Sequence, residues 1–114
     1  MHEMALVQGI IEIVEQEMAR HHVNKLKAIH LACGRMTAVV PDQMILCFAI
    51  LTENKPLAGA ELKMRTVPVT YQCRVCHHEF TSEGIMFNCP SCNRENPELT
   101  AGRELQIEFL EVED

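Results

Sequence analysis

Four cysteines stand in two pairs, Cys73-Arg74-Val75-Cys76 and Cys89-Pro90-Ser91-Cys92, with twelve residues between the pairs. Two residues between the cysteines of a pair let both sulfurs converge on one ion from a tight turn while backbone amides support the thiolates. Two such turns facing each other offer four sulfurs in a tetrahedron, the geometry of a structural Zn²⁺ site. A second constellation lies at the start, Met1-His2-Glu3. A free α-amine there has an ordinary pKa of about 7.7–8.0. His2 adds an imidazole and a backbone amide that a strongly polarising metal can deprotonate. Amine, amide nitrogen and imidazole nitrogen chelate together in fused rings. Such a nitrogen-rich, tetragonal set suits Ni²⁺ or Cu²⁺ rather than the thiolate tetrahedron of zinc.

Each constellation has competing readings. The twelve-residue gap lets a β-ribbon bring the pairs together, though it is shorter than the commonest four-cysteine zinc spacing. The second pair has the look of a zinc-ribbon knuckle. A rubredoxin-like iron site, a redox CxxC pair and a nucleic-acid-binding ribbon are the rivals. The last is disfavoured because Arg74, Arg94 and Arg103 face Glu79, Glu83, Glu95, Glu98 and Glu104. His77 and His78 read as exposed turn residues, or as a replacement ligand or hydrogen-bond donor to a sulfur. Cys33 and Cys47 lie on apolar stretches and read as packing residues. Against a chelating terminus stands a frayed one. Glu3 beside it could supply an oxygen, and a helix directly behind would hold it still.

The composition sets bounds. The 114 residues carry 10 Lys and Arg against 16 Asp and Glu, a net charge of −6. That balance argues against nucleic-acid and anionic-membrane surfaces, which need a concentrated positive field. Apolar residues make up 47% but aromatics only 4%, so the core must be aliphatic, with seven Met as adaptable filler. No apolar run approaches the roughly 20 residues that span a bilayer. The start lacks a basic n-region, so a cytoplasmic protein is expected. There the six cysteines read as ligands or thiols before disulfides.

The elements that must position these groups follow from periodicity. Val7, Ile10, Ile11, Val14 and Met18 recur at helical spacing and predict a helix over 4–21. Residues 25–33 read as extended, ended by Gly34. A second helix opens at Pro41-Asp42 with Asp42 as N-cap, buries Ile45, Phe48 and Leu51, and closes at Asn54-Lys55-Pro56. Residues 61–67 alternate as a half-buried strand, with Leu62, Met64 and Thr66 inward. Leu105, Ile107 and Phe109 alternate as a third strand, and Glu111–Asp114 reads as a solvated tail. The expected fold is α+β: a three-stranded sheet packed by two helices, with a four-cysteine zinc-ribbon-like domain inserted before the last strand. The domains would be 1–67 with 105–114, and 68–104.

Segment 68–102 is short of aliphatic and aromatic residues. Burial alone would not offset ordering it at about 1–2 kcal/mol of backbone entropy per residue. A zinc site, worth about 10–16 kcal/mol in small metallo-peptides, makes up the deficit.

A chain that opens Met1-His2-Glu3, runs into an amphipathic helix and carries CxxC-x12-CxxC before a last short strand resembles the HypA/HybF family of hydrogenase maturation nickel metallochaperones. The resemblance implies a nickel-binding domain and a structural zinc domain. Carried over by position, His2 is the essential nickel ligand, beside the Met1 amine and the backbone nitrogens of His2 and Glu3. Cys73, Cys76, Cys89 and Cys92 match the zinc ligands. Some family members place an acidic residue near position 40 that approaches the nickel; here it is Val40, so either Asp42, the nearest acid, serves as a distant fourth ligand or water or Glu3 completes the shell, and the second is expected. The implied partners are a nickel-handling maturation GTPase of HypB type and a hydrogenase large subunit. Urease maturation proteins and a homodimer are left open. The alternative is a zinc-ribbon adaptor with no nickel role. An enzyme is not expected: there is no Ser/His/Asp set, no phosphate-binding glycine loop and no zinc site with an open position.

Overall fold

The computed structural model describes residues 3–82 and 85–113. Met1 and His2 lie outside the described residues. The chain runs α1 (Glu3–Arg20), β1 (Leu26–Gly34), a 3₁₀ turn (Arg35–Thr37), α2 (Pro41–Thr52), β2 (Glu61–Val67), β3 (Val69–Gln72), β4 (Glu79–Ser82), β5 (Glu98–Ala101) and β6 (Leu105–Val112). This is the expected α+β class, with two three-stranded sheets, one ordered β2-β1-β6 and the other β4-β3-β5. The chain forms two compact units. Ala32–Ala38 and Thr66–Leu105 make up one, and the remaining described residues the other.

In the first unit, α1 buries Val7, Ile10, Ile11, Val14 and Met18, the stripe its spacing predicts. The helix ends in a Schellman turn. His22 adopts the left-handed conformation (φ 57°), its N–H donates to the Ala19 carbonyl, and the Val23 N–H donates to the Met18 carbonyl at 2.8 Å. β1 is the central strand of its sheet, and a near-continuous run of buried residues replaces the alternation of a half-exposed strand. Leu57, in the turns after α2, is fully buried and adds to a core otherwise drawn from α1, α2, β1 and Leu62 of β2.

Several expectations are corrected here. The N-cap of α2 is Val40, not Asp42, which sits in the first turn behind Pro41. Proline at the first helical position brings a fixed φ and leaves no donor to satisfy, so the helix starts two residues earlier than the acidic cap suggests. The Val40 carbonyl accepts the Gln43 and Met44 N–H groups, both at 3.1 Å. α2 buries Met44, Phe48 and Thr52, whereas Ile45 is 42% exposed and Leu51 is half-buried. A helix apolar nearly all round does not disclose its inner face by periodicity. Burial of Thr52 is possible because its hydroxyl donates to the Phe48 carbonyl at 2.7 Å. In β2 the alternation breaks at its end, where Thr66 is exposed and Val67 buried. Phe109 is 54% exposed and stacks on the His30 ring, with centroids 3.9 Å apart. The acidic tail is not free either: β6 runs through Val112, the Glu111 carboxylate pairs with His30, and the Glu113 N–H donates to the Lys25 carbonyl.

In the second unit, β3 pairs antiparallel with β4 and β5, placing Tyr71 opposite both Phe80 and Leu99. Tyr71 stacks on Phe80 (5.5 Å), and its hydroxyl accepts the Met86 N–H at 3.2 Å. Gly34 is required by close approach. A Cβ there would lie 2.1 Å from the Gly102 carbonyl oxygen, and the Gly34 N–H donates to the Glu104 carbonyl at 2.7 Å. Gly102 itself has φ of +120°, a region suited to glycine.

Candidate metal centre

β3 delivers Cys73, and the turn that follows brings Cys76 back beside it. The Cys73 N–H donates to the His78 carbonyl (2.9 Å) and the His77 N–H to the Cys73 carbonyl (3.1 Å), closing a loop around the sulfurs. The second pair repeats this. The Cys89 N–H donates to the Arg94 carbonyl and the Asn93 N–H to the Cys89 carbonyl, both at 2.8 Å. An isolated bridge between Asn88 and Glu95 continues the second loop as a ribbon.

The loops bring the four sulfurs within 4.8 Å of one another, with Cys73 to Cys92 at 3.5 Å and Cys76 to Cys89 at 3.7 Å. A tetrahedron with Zn–S bonds of about 2.3 Å has sulfur–sulfur edges of about 3.8 Å, so the set is of the right size and type for zinc. All six cysteines are free thiols. Cys73 and Cys89 are buried while Cys76 and Cys92 are exposed, so each pair offers one inner and one outer ligand.

Backbone donors prepare the inner sulfurs as thiolates. The N–H groups of Cys76 and Val75, each 3.4 Å from the Cys73 sulfur, hold that thiol down to about 6 against the opposing effect of burial. Burial opposes ionisation of Cys89, yet the N–H groups of Cys92 and Ser91 and the neighbouring sulfurs keep its thiol below the ordinary value. At Cys76 the His78 N–H favours the thiolate. Loss of water and the three neighbouring sulfurs outweigh it and push that thiol up to about 12. The charge is thus shared unevenly, since four adjacent thiolates repel unless a cation compensates them. Four thiolates with no open position make a closed, structural type of site rather than a hydrolytic one.

Among the described residues this is the only group of three or more His, Cys, Asp or Glu side chains placed to hold a metal. His77 and His78 are exposed and not part of it, and the His78 ring stacks on Phe80. Cys33 is buried with its sulfur 3.5 Å from the Thr37 hydroxyl, and Cys47 is half-buried; neither joins the cluster. Of the nickel residues expected from sequence, Met1 and His2 lie outside the described residues. Glu3 is 6% exposed, and its carboxylate accepts the Val40 N–H at 3.3 Å. Sequence reasoning missed this role of Glu3. It also missed Gln72 and Asn88, whose side-chain amides donate to the His77 and Asn93 carbonyls. The signal was an amide residue directly before the first cysteine of each pair.

Comparison with known proteins bears on the whole chain. Residues 1–112 match the family model described as "Hydrogenase/urease nickel incorporation, metallochaperone, hypA". A "Hydrogenase maturation factor HypA" of Desulfitobacterium hafniense is 40% identical over 114 residues, covering all of both chains. The protein of that name from Solidesulfovibrio magneticus is 38% identical over 117 residues, covering 99% of this chain and all of its own. In fold, the chain is similar to the solution structure of "the Ni metallochaperone HypA from Helicobacter pylori", with a TM-score of 0.69 at 23% identity over 98% of this chain and 97% of that one. A match that spans nearly every residue, together with relatives at this identity, leaves one assignment: the chain belongs to the HypA family of nickel-incorporation metallochaperones.

Proposed function

We propose that this protein carries Ni²⁺ at its N-terminus, through the Met1 amine, the backbone nitrogens of His2 and Glu3 and the His2 imidazole, and delivers it for [NiFe]-hydrogenase maturation. The observation that carries the reading is the anchorage of Glu3. Its carboxylate accepts the Val40 N–H, so the residue that follows His2 and supplies the last of the chelating nitrogens is fixed at the start of α1. The Glu3 side chain then acts by positioning, and water completes the nickel shell.

An open site at a chain end suits a carrier. Its ligands exchange one at a time, so release need not strip a closed cage. Protons compete for the amine and the imidazole, so affinity falls as pH drops. The net charge of −6 favours approach of a divalent cation. The recipient is the hydrogenase large subunit, with a HypB-type GTPase handling nickel in the same system. The family description couples hydrogenase with urease, and urease maturation proteins are the second class of recipient. The site of action is the cytoplasm; no helix among the described residues is long and apolar enough to cross a membrane.

Cys73, Cys76, Cys89 and Cys92 hold a resident Zn²⁺ in this reading. When bound, the ion contributes folding free energy to its ribbon and performs no catalysis. No residue is assigned a catalytic role. Calorimetric titration with Ni²⁺ tests the proposal: His2→Ala abolishes stoichiometric binding, whereas unchanged affinity rejects it.

A further inference from the structure

The two cysteine turns are copies of each other at an offset of sixteen positions. Cys73 and Cys89 donate to the carbonyls five residues on, and His77 and Asn93 donate to the carbonyls four residues back. His77 (φ 62°) and Asn93 (φ 63°) take the same left-handed conformation immediately after the second cysteine of each pair. Neither is glycine, so both conformations need support from their surroundings.

That support repeats too. The Gln72 side-chain amide donates to the His77 carbonyl at 3.4 Å, and the Asn88 side-chain amide donates to the Asn93 carbonyl at 3.1 Å. Each brace runs from the residue before the first cysteine to the left-handed residue after the second. Rotating His77 or Asn93 out of its left-handed state would turn its carbonyl away from the amide, so the bond selects the ligating form of the turn. A third contact ties the turns together: Arg74 Nε donates to the Asn96 carbonyl at 3.0 Å, and the Asn96 N–H donates to the Phe87 carbonyl at 2.9 Å.

We infer that Gln72, Asn88 and Arg74, none of them a metal ligand, are positioning residues that hold the two turns closed and set how slowly a four-sulfur-bound metal leaves. The inference rests on the zinc reading of the cluster. Outer partners of metal ligands act in this way elsewhere by fixing ligand orientation. The two turns are not equal. The second has the shorter amide contact and asparagine, a residue at home in the left-handed region, where the first has histidine.

The test measures transfer of zinc from the full-length, zinc-loaded protein to an excess of a chromophoric chelator. Asn88→Leu and Gln72→Met keep side-chain size and remove the donor; Arg74→Met keeps the stem and removes the guanidinium. Each is expected to release zinc faster, by roughly tenfold at Asn88. The absorption of the cobalt-substituted proteins stays that of four thiolates in a tetrahedron. Asn88→Gln, which restores an amide of the kind used at position 72, returns the rate close to that of the parent. Release at the parent rate in both Asn88→Leu and Gln72→Met overturns the inference, as does failure of Asn88→Gln to recover. A parent protein that takes up no zinc overturns the zinc reading itself, an outcome distinct from equal release rates.

Discussion

Glu3, in the first turn of α1, accepts the backbone N–H of Val40, the residue that caps α2, at 3.3 Å. In a capping box that N–H is bonded by a Glu or Gln side chain three positions into the same helix. Here that position is Gln43, and the carboxylate arrives from another helix thirty-seven residues away in the chain. One partly buried bond thus closes the start of α2 and fixes the residue that follows His2.

Glu3→Ala leaves the Val40 N–H without its carboxylate and should cost about 1–3 kcal/mol of stability, read by urea unfolding. Glu3→Gln keeps an acceptor oxygen and should lose less. Nickel affinity should follow the same order if the carboxylate acts by position. Equal loss of nickel in both variants would instead indicate direct ligation by the carboxylate.

The protein has one tyrosine and no tryptophan, and Tyr71 lies in the ribbon that carries the cysteines. Intrinsic emission therefore reports on that ribbon alone. Chelating the zinc should change Tyr71 emission as its stack on Phe80 and its bond to the Met86 N–H are lost. Emission unaffected by chelation would contradict a folding role for the metal.

The cysteine pairs and α1 were legible in the sequence because each rests on local geometry. A CxxC turn and a 3.6-residue apolar stripe need no knowledge of the rest of the chain. What was misread depends on distant partners. Asp42 has the chemistry of a cap, but Pro41 and the carboxylate of Glu3 move the cap to Val40. The inner face of α2 is set by neighbours, because apolar side chains occupy nearly its whole circumference. Phe109 reads as core, yet it covers His30 from outside, and the acidic end reads as free until Glu111 meets that same histidine. The braces Gln72 and Asn88 left only one trace in the sequence, an amide residue before each cysteine pair, because their partners are backbone carbonyls that no residue type marks.

Stability in acid should depend on Glu111. Its bond to His30, with Lys63 and Lys27 nearby, holds the carboxyl below its ordinary value of 4.5. A carboxyl lowered in the folded state contributes stability that is fully present above its unfolded value and lost as pH falls through the folded one. The urea midpoint of the parent should therefore drop between pH 5 and the acid range, taking about 4.3 as the unfolded carboxyl value. Glu111→Gln should flatten that drop and lower the midpoint at pH 7. A variant with the parent's acid sensitivity would argue against the pair.

Two glycines should respond oppositely to alanine. Gly34→Ala places a Cβ 2.1 Å from the Gly102 carbonyl oxygen and forces backbone to move, at a cost of about 1–3 kcal/mol or more. Gly9, inside α1 with nothing within 4 Å of an added methyl, should gain close to 1 kcal/mol as alanine. Thermal unfolding of the two variants side by side checks both signs.

The central claim is that nickel binds through the first residues of the chain, and calorimetric titration of the zinc-loaded protein with Ni²⁺ tests it most directly. The parent should bind one equivalent more weakly as pH is lowered. His2→Ala, and a variant with one residue added ahead of Met1, should both lose that binding while keeping their zinc. Unchanged nickel affinity in His2→Ala would contradict the account.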